Sequence, residues 1–346
     1  MRNTYIEILR FVLMAAILVW HTIVWGLGFV DGQQGMFEYV GSMPAMFFLC
    51  SLLAPATYCF VFISGYYGIK FSYSKLLNLL LWLIAVALIC GIYRYQQGQT
   101  TWYEIYSAFM PLVHNRWWFV TAYVTLFIVS PFINTALQYL SKKQVIGMLL
   151  MLYAILLYRW ILLVSCAGSS FIGLLFVYVL ARFMEMNKIT LSRKHASLLY
   201  VSSLFLMTLV SCILFYGLRG YLNPVHTQRI VFQVFAYCNP FVVIMAVAIF
   251  FFVLSFPPRT IVWLNVLLKT NLFIYLFTQG VGVISYKKLA VLFCEQPFLY
   301  VKDALLIILG ALLVGHIVVI LTNWITRFLK YLTKTSGITK KILRGI

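Results

Sequence analysis

An arginine and a histidine, Arg10 and His21, stand eleven residues apart in the otherwise apolar run LRFVLMAAILVWHT, residues 9–22. On a helix, eleven residues at about 100° each bring the two within about 20° of one another around the axis and set them about 16 Å apart along it. One face therefore carries a permanent cation at one depth and a titratable imidazole at another. A neutral imidazole takes a proton from a hydroxyl as that hydroxyl attacks an activated carbonyl. A guanidinium holds phosphate oxygens through two parallel hydrogen bonds. Glu7, three residues before Arg10, is placed to pair with the guanidinium and orient it. No serine or cysteine with a local base signature stands beside His21, which favours direct transfer over a covalent enzyme intermediate. Two simpler readings compete. Arg10 snorkels to an interface with Glu7 as its counter-ion, and His21 bonds a neighbouring helix without meeting a substrate. An ionisable group inside a membrane is expensive and marks a pathway or site by default.

The element that carries this pair is read from composition. The 346 residues are 64% hydrophobic and 10% charged, with repeated apolar runs. A hydrocarbon core is crossed by about 20 helical residues, and in lipid every backbone polar group has to be satisfied inside the segment. The expected fold class is all-α, a polytopic membrane bundle of about ten helices. Hydropathy places the spans near 8–29, 45–68, 76–93, 118–138, 145–158, 170–184, 198–218, 237–256, 271–286 and 303–325. One transmembrane domain, 1–326, and a basic tail, 327–346, make up the chain, and the first span reads as a retained helix rather than a removed signal peptide.

A net charge of +19 suggests nucleic acid in a soluble protein, but here the charges sort by side. With the amino terminus inside, 18 of the 26 Lys and Arg residues are cytoplasmic. The other eight are Arg94, Arg116, Arg159, Arg219, Arg229, Lys287, Lys288 and Lys302; they share the outer side with Asp31, Glu38, Glu104, Glu295 and Asp303. Both termini are expected in the cytoplasm, the tail against anionic lipid headgroups, and no nucleic-acid partner is needed.

Seven cysteines, Cys50, Cys59, Cys90, Cys166, Cys212, Cys238 and Cys294, form no CxxC pair and no metal spacing, and read as small buried hydrophobes. No metal is expected. Pro55 and Pro131 fall within or at the ends of spans, where proline bends a helix. The longest outer loops, 92–117, 219–236 and 287–302, are rich in Tyr, Trp, Gln and Asn. Tyr66, Trp117, Trp118 and Tyr123 are candidates for stacking on a sugar, since flat rings cover apolar sugar faces; the alternative is an aromatic belt at the membrane interface. Arg116 is a candidate for an anionic sugar or a lipid diphosphate. Asn134 and Asn239 stand beside prolines as candidate caps. His114, His195 and His226 lie in polar stretches and read as surface residues, while His316 lies in the last span with no assigned role.

The stretch RNTYIEILRFVLMAAILVWH resembles the start of the acyltransferase 3 family of integral membrane acyltransferases, whose first helix carries an arginine, ten residues, then a histidine. CFVFISGYYGIK (59–70), WWFVTAYVTLFIVSPFIN (117–134) and NPFVVIMAVAIFFFV (239–253) resemble the same family, especially its capsule and surface-polysaccharide members. The resemblance implies an enzyme of the bacterial inner membrane moving an acyl group, commonly acetyl from acetyl-CoA, onto a hydroxyl of an envelope glycan or lipid-linked sugar. His21 then matches the family's essential histidine and Arg10 its arginine, with acyl-CoA near Arg10, Lys70 and Lys75. Two positions depart. Many members carry a ninth-span histidine in a pattern like IYLxH, where this chain has Thr278, and the basic cluster after the second span is reduced to Lys70 and Lys75. The rival reading is a transporter or flippase for an envelope intermediate with His21 as a proton-coupled switch; the chain shows no inverted repeat of the kind such proteins often contain.

Overall fold

The computed structural model describes residues 3–30, 32–163, 168–279 and 283–335. Those residues are helical with no strand among them. The chain opens with α1 (Thr4–His21), which runs on into a π-helical turn, Thr22–Gly26. The short α2 (Gly35–Glu38) leads to α3 (Met43–Leu53) and α4 (Ala56–Tyr67). Then follow α5 (Tyr73–Gln96), the short α6 (Trp102–Ser107), α7 (Trp118–Tyr139), α8 (Lys142–Ile161) and α9 (Phe171–Met186). The second half holds α10 (Arg193–Leu218), α11 (Pro224–Phe232), α12 (Pro240–Leu254), α13 (Val262–Leu267), α14 (Asn271–Thr278), α15 (Tyr286–Glu295) and α16 (Pro297–Thr335).

Among the described residues eight segments are long and apolar enough to cross a membrane, and Val262–Thr278 is a shorter apolar helix pair. The sixth expected span is α9, only 16 residues long. It packs on α4, α7 and α8, so protein rather than lipid surrounds most of it. The ninth span corrects the expectation of 271–286: the helical segment starts at Val262, kinks through a 3₁₀ turn at Leu268–Thr270 and ends at Thr278. There the Thr278 hydroxyl donates back to the Tyr275 carbonyl at 3.2 Å. Tyr286 instead begins a separate helix, with Ser285 as its N-cap accepting from the Lys288 amide. The expected outer loops likewise contain α6, α11 and α15. At the far end, α16 passes position 327 without a break and continues to Thr335.

Local sequence explains the joints. Asn3 caps α1, accepting from the Tyr5 amide at 3.1 Å. Pro55 stands where α3 gives way to α4, and Pro131 lies inside α7. Asn239 caps α12 ahead of Pro240, accepting from the Phe241 amide at 2.9 Å. Gly65 lets α4 and α9 touch: a Cβ there would lie 2.8 Å from the Ala181 Cβ. The cysteines are mixed. Cys50, Cys59, Cys90 and Cys238 are buried as expected, but Cys212 is half-buried and Cys294 is exposed. Cys294 lies in the last turn of the short α15, whose packing covers only part of its circumference. Cys166 lies outside the described residues.

Candidate active site

The face of α1 that carries Arg10 also carries Met14, Ile17 and His21, the last three all buried. Arg10 lies one turn from Glu7, whose Oε1 accepts from Arg10 Nη1 at 2.9 Å. Glu7 is itself buried at 4% exposure, so the pair holds the guanidinium at a fixed depth. The start of α1 is stapled to the segment before α13: the Thr4 amide donates to the Arg259 carbonyl at 2.7 Å, and the Ile261 amide to Thr4 Oγ1 at 2.7 Å.

Around Arg10 opens a cavity of two adjoining lobes, about 520 and 530 Å³, that share Glu7, Arg10, Ser64, Lys75, Tyr123 and Phe127. Lys70 lines the first lobe. Lys269, Asn78, Asn271 and Asn323 line the second, against Trp82 and Phe119. Four cations from three separate stretches of chain thus face one space. Asn271 is 4% exposed and its Nδ2 donates to the Glu7 carbonyl at 3.3 Å. A carbonyl can only accept, which fixes the amide orientation and leaves Oδ1 without a hydrogen-bond partner. Two hydrogen bonds tie α5 to α16 beside this lobe: Trp82 Nε1 donates to Thr322 Oγ1 at 2.9 Å, and Thr326 Oγ1 donates to Asn78 Oδ1 at 2.6 Å.

The turn that presents Lys70 is held by a closed ring of hydrogen bonds. Gly68 adopts φ 70°, a conformation that side chains with a Cβ rarely take. The Ile69 amide donates to Tyr178 Oη at 3.1 Å, Tyr178 Oη donates to Asn134 Oδ1 at 2.9 Å, and Asn134 Nδ2 donates to the Ile69 carbonyl at 3.2 Å. Asn134 is therefore a clamp inside α7 rather than the cap suggested by its neighbouring proline. Arg182 adds a bond to the Tyr66 carbonyl at 3.4 Å while paired with Glu185 at 2.9 Å.

His21 occupies the other end of the α1 face. It is 7% exposed and its Nδ1 lies 2.6 Å from the Ile17 carbonyl. Because that oxygen only accepts, Nδ1 carries the proton and Nε2 keeps the lone pair. No hydrogen bond to Nε2 is made among the described residues. Trp25 meets the imidazole edge-on at 4.4 Å between centroids, and Tyr286 lies at 5.9 Å. Behind them Gly26 allows the π turn to press against α15, since a Cβ there would sit 2.7 Å from the Ala290 Cβ. Tyr286 Oη donates to the Thr278 carbonyl at 2.7 Å, so Thr278, at 2% exposure, connects to the ring beside His21 rather than to His21 itself.

The remaining candidates are dispersed. Tyr123 lines both lobes and donates to Ser64 Oγ at 3.2 Å. Tyr66 packs on Phe250 at 4.8 Å. Trp117 is buried, its Nε1 donating to the Leu276 carbonyl at 3.2 Å, and Trp118 leans on Tyr237 at 5.5 Å. Arg116 Nη1 donates to the Ala87 carbonyl at 3.2 Å. Burial pushes its pKa down, with Cys90 and Glu104 opposing, and it stays charged at neutral pH. The structure brings Glu7, Arg10, Lys70, Lys75 and Tyr123 together at the cavity and places Arg116, Trp117, Trp118 and Tyr66 outside it. The residues that sequence reasoning missed, Lys269, Asn78, Asn271 and Asn323, lie in three distant segments, and only Lys269 carried a signal of its own, a charge at a helix joint. His316 is a tie between α16 and the α13–α14 corner: its Nε2 lies 3.2 Å from the Val266 carbonyl and its Nδ1 lies 3.1 Å from Thr270 Oγ1. Among the described residues no group of His, Cys, Asp and Glu could hold a metal.

The family model described as acyltransferase domain matches residues 3–324. No curated protein and no solved structure matches the chain.

Proposed function

The chain belongs to this acyltransferase family, and from that premise we propose that it carries an acyl group, acetyl in the simplest case, from acyl-CoA to a hydroxyl of a cell-envelope glycan. Capsule, O-antigen and exopolysaccharide are the glycans in view, and the bacterial inner membrane is the setting. The donor enters the cavity from the cytoplasmic side. Arg10, Lys70, Lys75 and Lys269 supply the charge for its phosphates. The 3₁₀ turn and the start of α14 line the same lobe through Leu268, Lys269, Asn271 and Leu272. Lys269 makes good part of the basic cluster that is sparse after the second span.

The thioester arm extends along the α1 face towards His21. Met14 and Ile17 fill that path in this state, so donor entry displaces them, and the unbranched thioether of Met14 is the more adaptable of the two. The acceptor hydroxyl gives its proton to His21 Nε2 and attacks the thioester carbon. The C–S bond breaks, the thiolate leaves, and the proton on Nε2 returns to it as CoA thiol. The Ile17 carbonyl does the work that a carboxylate does for many catalytic histidines: it fixes the tautomer and the ring orientation.

The observation that carries this reading is that the lone pair of His21 stands on the same helical face as the cation-lined cavity, at the opposite end. Protein in lipid nanodiscs, given acetyl-CoA and an envelope glycan, is expected to release CoA thiol and to yield sugar heavier by one acetyl group. His21→Ala lowers that rate by about 10²- to 10⁴-fold with acetyl-CoA binding retained. Full transfer by the variant overturns the mechanism.

A further inference from the structure

At the His21 end, between α15, α16 and the end of α14, lies a second cavity of about 560 Å³ that is mostly apolar. Phe277, Leu289 and Leu292 form one wall, and Ile307, Gly310 and Val314 the other. Gly310 leaves the space open, because a Cβ at that position would meet nothing within 4 Å. The flanking Leu306, Leu309 and Leu313 are 58%, 59% and 64% exposed, so the groove opens along the surface that α16 turns to lipid. Its two charged lining residues are Lys288 and Asp303, and neither is in an ion pair among the described residues.

A groove of this kind gains nothing from the hydrophobic effect inside a bilayer, where every tail is already out of water. Shape and the charges at the mouth decide what stays in it. Lys288 offers a compact cation suited to a phosphate. Asp303 repels a phosphate and accepts from a hydroxyl, so the two side chains together ask for a phosphate with a polyol beside it. Lys288 also lies two residues from Tyr286, whose ring touches His21. A headgroup anchored at Lys288 therefore lies on the same short helix that carries a neighbour of the proposed base.

We propose that this groove seats the hydrocarbon tail of a sugar acceptor linked to a single-chain lipid through phosphate, with Lys288 on the phosphate and Asp303 on a sugar hydroxyl. The proposal rests on the acyl-transfer reading for its purpose, but its test uses no acyl donor. A polyprenyl-phosphate glucose with a diazirine in its tail is added to the protein in phosphatidylcholine nanodiscs and photolysed. Label is expected within 284–292 and 303–314, and excess unlabelled probe displaces it while phosphatidylglycerol does not. Gly310→Phe fills the groove and Lys288→Glu reverses the charge at its mouth; each lowers labelling at least about fivefold. Gly147→Phe, at another glycine whose Cβ would meet nothing within 4 Å, leaves labelling unchanged. Equal displacement by phosphatidylglycerol, or labelling indifferent to both groove variants, shows that ordinary membrane lipid occupies the groove and overturns the proposal. That outcome leaves acyl transfer standing, whereas absence of transfer with the probe still bound sinks the reaction and keeps the site.

Discussion

At the scale of residues, the site divides into what one helix can hold and what only folding can gather. Arg10, Glu7 and His21 were legible because their relation is set by helical arithmetic, and the Ile17 carbonyl that orients His21 belongs to the same helix. Lys269 and Asn271 were not legible. Their value comes from lying against Glu7 and Arg10 across more than 250 residues of sequence, and no local period reports such a contact. The same blindness applied to the aromatic candidates, whose ring chemistry is identical whether they meet a sugar or, as Trp117 does, a neighbouring backbone carbonyl. Lys269 gives the residue-scale prediction. It is exposed where it lines the cavity, so on the proposed donor site its charge acts through water and Lys269→Ala is expected to cost about 0.5–1 kcal/mol, a rise in KM for acetyl-CoA of roughly two- to fivefold. kcat stays as it was, because the interaction is the same in ground and transition states. Lys269→Arg restores KM. A KM unmoved by the alanine variant, measured at low ionic strength, removes Lys269 from the donor site.

At the scale of elements, hydropathy located the helices but displaced the ninth. The sixth span, expected at 170–184, is α9 to within two residues, and protein surrounds most of it. The ninth segment was displaced because its apolar run continues past Thr278, while hydrogen bonds from Thr278 and Tyr286 end the helix there. The π turn after His21 left no mark in composition either. The turn at Gly68 shows how elements serve chemistry at a distance, for α7 and α9 send Asn134 and Tyr178 to grip Ile69 and so set where Lys70 points. Asn134→Leu removes two of those three bonds and leaves the Ile69 carbonyl unpaired. The expected loss is about 1–3 kcal/mol of stability, read as a lower melting temperature in detergent, together with a higher KM for acetyl-CoA. A variant that melts lower but keeps its KM shows that the clamp is structural alone.

At the scale of the whole molecule, the asymmetry of basic residues predicts which end faces which compartment, and Cys294 offers the check. It is exposed at the end of α15, on the His21 side of the bundle. Partial burial and the Glu295 carboxylate raise its thiol pKa. The thiolate, the reactive form, therefore keeps increasing with pH beyond the range where an ordinary thiol has levelled off. A membrane-impermeant maleimide is expected to label the α15 peptide in intact cells, faster as pH rises, and Cys294→Ala removes the label from that peptide. Labelling of Cys294 only after the membrane is opened inverts the assigned orientation. Class, helix count and the first helix were thus available from the sequence, while the cavity was not, since α1, α4, α5, α7, α14 and α16 all contribute to its walls. That dispersion has a consequence in time. In synthesis Arg10 and Glu7 precede their partners, for the carbonyl of Arg259 that receives the Thr4 amide, the amide of Asn271 and the wall of α16 all follow them in the chain. A chain whose synthesis has reached only α12 has inserted Arg10 and Glu7 without the last walls of the cavity they line. The cavity therefore comes into being only when α16 arrives, and a half-made copy in the membrane carries a cation with no enclosed space beside it.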